Sequence, residues 1–166
     1  MSRIAAALLA LVLLAPFPAR ANAPEHAADW NHPAMAWRDM GAGVKEAIRS
    51  GKPVLMVMHA TWCTACRRYR EVFKDERVVK LSQKFVMILV DVQKYPDVNG
   101  AFAPDGTYVP RTLFVDAEGE VDKTLIGADP QYPHSLKIDS PEELAGLMER
   151  AKSPAGPSAP VEAQTR

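Results

Sequence analysis

Two short apolar runs, "PVLMVMHA" at 53–60 and "FVMILVDV" at 85–92, constrain this chain more than any other feature. Neither alternates apolar with polar residues. Such a run reads as a strand buried on both faces. Between them, "CTACRRYREVF" at 63–73 follows the first run with no turn dipeptide. It spaces Cys66, Tyr69, Val72 and Phe73 by one to four residues, so the spacing predicts a helix beginning near Cys63. A second short helix is predicted around Glu76 to Ser82. Strand, helix, strand is a βαβ unit, and its two strands pair in parallel because the crossover brings the chain back to the same end.

The flanking segments extend this unit. "WRDMGAGVKEAIRSGKP" at 37–53 places Trp37, Met40, Val44, Ala47 and Ile48 at helical spacing, with Gly51 and Pro53 ending the helix. Residues 92–108 read as a long connection with turn signals at Asn99-Gly100 and Pro104-Asp105-Gly106. "TLFVD" at 112–116 and "EVDKTLIG" at 120–127 flank Ala117-Glu118-Gly119 and predict a hairpin. Ser140, Pro141 and Glu143 stand at N-cap, N1 and N3 of a capping box, which predicts a helix through Leu144, Leu147 and Met148. The resulting order is α, β, α, β, β, β, α. It suggests an α/β fold with a mixed four-stranded sheet and helices on both faces.

The ends of the chain read differently. Arg3 precedes an unbroken apolar run from Ile4 to Ala15, then Pro16, Pro18 and the small-residue pattern Ala19-Arg20-Ala21. This is the layout of a secretory signal peptide over residues 1–21, with an uncleaved N-terminal anchor as the other reading. The run is shorter than the roughly 20 residues that span a bilayer. The expected location is therefore periplasmic or secreted, without a membrane span once the leader is cut. Cleavage removes Arg3 and Arg20 from a chain with 20 basic and 20 acidic residues, for a net charge of about −2. That balance carries no electrostatic footprint for nucleic acid. "SPAGPSAPVEAQTR", residues 153–166, is too poor in large apolar side chains to offset its ordering entropy and reads as a disordered tail. One domain over residues 30–152 remains, read as a monomer.

The chain has two cysteines, Cys63 and Cys66. A structural staple between them would close a loop of four residues and contribute only about 2 kcal/mol, against more than about 4 for a long loop. A structural zinc site needs four ligands, and Cys63, Cys66 and His59 make three. Met56 and Met58 could add soft ligands for Cu(I), but both also suit the core of a buried strand. Redox chemistry fits best. A helix N-terminus stabilises the thiolate at Cys63. Cys66, one turn further along, can attack a mixed disulfide formed at Cys63. Arg67, Arg68 and Arg70 put positive charge beside the pair, or form a solvated helix face.

These residues resemble the thioredoxin family. The marks are the strand "PVLMVMHA", then "WCTAC", then the apolar-faced helix, and further on "YVPRTLFVD" with Pro110 opening a strand 44 residues after Cys66. "KFVMILVDV", "FAPDGTYVPRTLFVDAEGEV" and His59 are similar to the small anterior-gradient group of endoplasmic-reticulum proteins and to bacterial exported relatives. The resemblance covers roughly residues 37–150. It implies a thioredoxin fold and thiol-disulfide exchange with protein thiols and disulfides, fed by an unidentified redox partner. No bound cofactor is needed, since electrons travel as the dithiol/disulfide pair. The implied roles are attack by Cys63, resolution by Cys66, a cis bond before Pro110, substrate backbone docking at Val109 and Pro110, and access shaped by Trp62. Thioredoxins carry a buried acid six residues before the first cysteine; here that position is Val57. His59 is then either the proton-transfer group or a packed strand histidine. The alternative is a periplasmic metal-handling or chaperone module on the same scaffold without redox turnover.

Overall fold

In the computed structural model, residues 23–116 and 118–151 are described. The expected signal peptide and tail lie outside them. Strands β2 (Val54–His59) and β3 (Val86–Asp91) form the centre of the sheet, parallel and in register from Val54 opposite Val86 to His59 opposite Asp91. Strand β4 (Arg111–Val115) pairs antiparallel with β2, and the two-residue β1 (Trp37–Arg38) lies parallel on the outside of β3. The sheet order is β1-β3-β2-β4.

Side chains of a strand alternate between its faces. Leu55, Val57, Met87, Leu89 and Phe114 enter one apolar cluster, which also holds Cys63, Cys66, Tyr69, Phe73, Leu144 and Met148. Val54, Met56, Met58, Val86, Ile88 and Leu113 enter another on the opposite face, joined by Met40, Ala47, Val98 and Phe102. Two-sided burial thus explains why both central strands are continuously apolar.

On the first face lie α2 (Thr64–Tyr69), a 3₁₀ turn over Arg70–Lys74, α3 (Glu76–Ser82) and α5 (Pro141–Arg150). Asp75 caps α3, its carboxylate accepting from the Arg77 and Val78 amides. On the other face lies α1 (Met40–Ser50), capped by Asp39, which accepts from Ala42 N at 2.8 Å. Gly43 lets this helix approach β3, since a Cβ there would stand 2.5 Å from the Ile88 side chain. No helix among the described residues is long and apolar enough to cross a membrane.

The sheet has the expected four strands, but one differs in identity. The stretch 120–127 is not a strand. It makes a single bridge, Val121 to Val115, and then turns because Asp122 accepts from both the amide and the hydroxyl of Thr124. The fourth strand is β1, taken from what the spacing assigned to the first helix. Trp37 is buried there and donates its indole N–H to Trp30 O at 2.6 Å. Val44 and Ile48 do not face the core: Ile48 is 78% exposed.

Residues 92–108 also contain a helix, α4 (Pro96–Ala101), where the sequence showed only turn signals. The capping box of α5 is half formed. Ser140 Oγ accepts from Glu143 N at 3.3 Å, while the Glu143 carboxylate accepts from Lys137 N at 2.6 Å.

Candidate functional site: a disulfide between a cis-proline edge and a cleft

Strand β2 ends at His59, and the chain turns through Ala60 to Trp62 before α2 starts. Cys63 is the N-cap of α2 and is joined to Cys66 in a disulfide with Cα atoms 5.2 Å apart. The Cys66 amide donates to Cys63 Sγ at 3.0 Å. The unpaired amides at a helix start therefore face the sulfur of Cys63, which favours negative charge there once the bond opens.

In front of Cys63, the Val109–Pro110 bond is cis, and Cys63 Sγ lies 3.7 Å from Val109 O. Trp62, next to Cys63 in the chain, is 63% exposed, while Cys63 itself is buried. The fold thus brings Cys63 against the Val109–Pro110 bond, although Pro110 is distant in the chain.

The edge is held from behind by Arg111, a residue given no role from the sequence alone. Its buried guanidinium donates to Phe102 O at 2.8 Å, to Asn99 O at 3.3 Å, and to Gly106 O and Asn99 Oδ1. These partners are the end of α4 and the loop after it. The Tyr108 hydroxyl donates to Asp105 and accepts from His134 N at 3.0 Å. The Thr112 amide donates to His134 O at 2.8 Å. On the other face of β4, the buried hydroxyls of Tyr69 and Thr112 share a hydrogen bond of 2.7 Å, tying α2 to the strand that follows Pro110. Burial pushes the Tyr69 phenol well above its ordinary value.

Behind the disulfide the surroundings change. His59 shares a strand face with Leu55 and Val57, and so with the cluster holding Cys66. It is 3% exposed, and its Nε2 has no hydrogen-bond partner. Burial lowers its pKa to about 4, against an opposing pull from Asp91. The imidazole is therefore neutral near pH 7.

His59 and Cys66 line a cleft of about 230 Å³ with His26, Asp29, Trp30, Thr61, Arg67 and Arg70. Arg67 donates to Thr61 O and Thr64 Oγ1, and Arg70 pairs with Asp29 at 3.4 Å. Arg67 and Arg70 therefore face the rear of the disulfide, where sequence spacing had only placed them near it. The described residues contain no group of three or more His, Cys, Asp and Glu able to hold a metal ion.

Fold and site together define a dithiol/disulfide protein on a thioredoxin-type scaffold. The chain belongs to the thioredoxin-like family: the family model so described matches residues 35–117, half of the chain. It is similar to anterior gradient protein 3 of Mus musculus, 30% identical over 111 residues, covering 66% of this chain and 64% of that protein. It is also similar to the anterior gradient protein 2 homolog of Homo sapiens, 29% identical over 104 residues, covering 62% of this chain and 56% of that one. The chain thus spans less than two thirds of either relative.

Among solved structures, a disulphide isomerase from Xylella fastidiosa Temecula1 shares the fold at a TM-score of 0.52 and 20% identity, covering 80% of this chain and 99% of that one. A thioredoxin from Thermus thermophilus shares it at 0.51 and 20%, covering 70% and 87%.

Proposed function

We propose that this chain is an exported thiol-disulfide oxidoreductase acting on protein disulfides, periplasmic or secreted, with residues 1–21 as a cleaved leader, 30–152 as the working domain and 153–166 as a tail. The observation that carries the reaction is the Cys63–Cys66 disulfide at the start of α2, facing the backbone of Val109 and Pro110. In the direction that reduces substrate, the Cys63 thiolate attacks one sulfur of a protein disulfide, that S–S bond breaks, and a mixed disulfide forms. The Cys66 thiol then loses its proton and attacks Cys63 Sγ. The substrate thiolate leaves and is protonated, and the protein is oxidised by two electrons. The opposite direction runs the same steps in reverse. Val109 and Pro110 offer backbone to the substrate, Trp62 shapes the approach, and no bound cofactor is required. The leader pattern supports export, and membership of the thioredoxin-like family supports the assignment to thiol-disulfide exchange.

Cys66→Ser in reduced protein should accumulate mixed disulfides through Cys63, visible on non-reducing gels and by mass spectrometry of the adduct. Failure of Cys66→Ser to trap any adduct, or equal trapping through Cys66 in a Cys63→Ser variant, would sink the assignment. Anaerobic titration of the reduced protein with Cu(I) or Zn(II) separates this reading from a metal-handling module: tight stoichiometric binding without disulfide exchange would overturn it.

A further inference from the structure

The resolving step has to remove a proton from Cys66, whose residue is only 2% exposed. At that moment the front of the site is filled, because a substrate is covalently attached to Cys63 and lies along Val109 and Pro110. The proton therefore needs another exit. The cleft behind the disulfide is lined by Cys66 itself and by His59, a buried histidine whose Nε2 has no hydrogen-bond partner.

The other wall comes from outside the family match, which begins at residue 35. A 3₁₀ turn over Ala27–Trp30 lays Trp30 across His59 with ring centroids 5.3 Å apart, and brings the His26 ring to 6.4 Å from it. This roof is fixed in place. Trp30 O accepts from the Trp37 indole at 2.6 Å, Asn31 Nδ2 donates to Phe73 O at 2.8 Å, and Ala27 and Trp30 are buried.

We infer that this cleft is the route by which the Cys66 proton leaves and returns while substrate occupies the front, with His59 holding the water that carries it. The inference rests on the oxidoreductase reading above. Cys66–SH gives its proton to a cleft water as its sulfur bonds to Cys63, and the proton passes to solvent past His26. The departing substrate thiolate gains a proton from solvent on the other side, so the step balances.

The cleft is polar enough to hold water, with His59, Thr61 and the paired Arg70 and Asp29 offering several hydrogen-bonding groups. Because His59 acts through that water, it is a positioning residue. A neutral imidazole suits the role, since it can donate and accept without trapping the proton. The charged and titratable groups facing it are Asp91 on β3, His26 and Asp29 on the roof, and Arg67 and Arg70 on the α2 side.

The test uses the full chain, reduced, with 5,5′-dithiobis(2-nitrobenzoate) as the probe. Cys63 releases one chromophoric thiol on attack, and Cys66 releases the second on resolution, giving two phases in one trace. His59→Leu should slow the second phase by about tenfold, less than the roughly 10²-fold or more of a direct general base, and move its pH midpoint upward. The first phase should be unchanged. His59→Gln, which keeps a polar group in the cleft wall, should recover most of the lost rate. His26→Ala should slow the second phase by less than His59→Leu.

Equal slowing of both phases by His59→Leu would mean a merely structural role and overturn the inference, as would a second phase unmoved by either His59 variant. Two full phases in the wild type with such a result would leave the oxidoreductase reading standing. Absence of the first phase would overturn that reading and this inference with it.

Discussion

The two sulfurs of this one disulfide sit in different surroundings. Cys63 faces a backbone edge and stands at the start of a helix, next in the chain to an exposed tryptophan. Cys66 faces a cleft walled by a buried histidine and roofed by an aromatic side chain. The front presents the backbone of Val109 and Pro110, and the rear opens onto a cleft of about 230 Å³. A thiol pair can exchange in sequence only if its members differ, and here the difference comes from packing rather than from the cysteines. The front depends on Arg111 holding a loop, and the rear on a 3₁₀ turn contributed by the segment before β1.

The largest expected effect breaks the front. Arg111→Met removes donors to carbonyls at Asn99, Phe102 and Gly106 together, and should cost about 3 to 5 kcal/mol of unfolding free energy in urea melts. Attack by Cys63 on a disulfide-bonded peptide should suffer more than its attack on a small disulfide, which needs no docking edge. Equal losses on both would mean that the edge is not what Arg111 maintains.

Next comes the rear, through pH. The pKa of His59 is lowered in the folded state to about 4 from an ordinary 6.5. Its burial as a neutral ring therefore contributes stability that is present above about pH 6.5 and lost as pH falls toward 4, up to about 3 kcal/mol. His59→Leu should flatten stability over this range in denaturant melts. An acid slope that survives the substitution would place its origin elsewhere.

The smallest change tests the tie between the two sides. Tyr69→Phe leaves the Thr112 hydroxyl buried without its partner and should cost about 1 to 2 kcal/mol in the same melts, while Cys63 attacks small disulfides at the wild-type rate.

Legibility in the sequence followed the range of the interactions. The βαβ unit was readable because its strands are apolar on both faces and its helix repeats at a fixed spacing. The start of α2 at Cys63 was readable because the run from strand to helix leaves no room for a longer turn. Helix α4 was not. It is six residues long, contains Asn99-Gly100 and buries no residue, so the start signals Pro96 and Asp97 had no apolar periodicity to support them. Its closing carbonyls are satisfied by a guanidinium from β4. Strand β1 was missed for a similar reason: two residues carry no periodicity, and only β3 makes them a strand. In the stretch 120–127, the turn signal Ala117-Glu118-Gly119 favoured a hairpin strand, and the Asp122 side chain turned the chain away.

Of the site, the sequence alone determined the spacing of Cys63 and Cys66 and their place at a helix start, because those depend on neighbours within one turn. The resemblance added Val109 and Pro110. His59 was visible as a residue but not as an environment. That it is buried, neutral near pH 7 and in the wall of the cleft beside Cys66 depends on Trp30 and His26, which reach it from other elements, and holds against the opposing pull of Asp91. Local spacing decides which group stands where along a strand or helix. Desolvation and charge, which decide what that group can do, come from side chains distant in sequence, and only the tertiary structure brings those together.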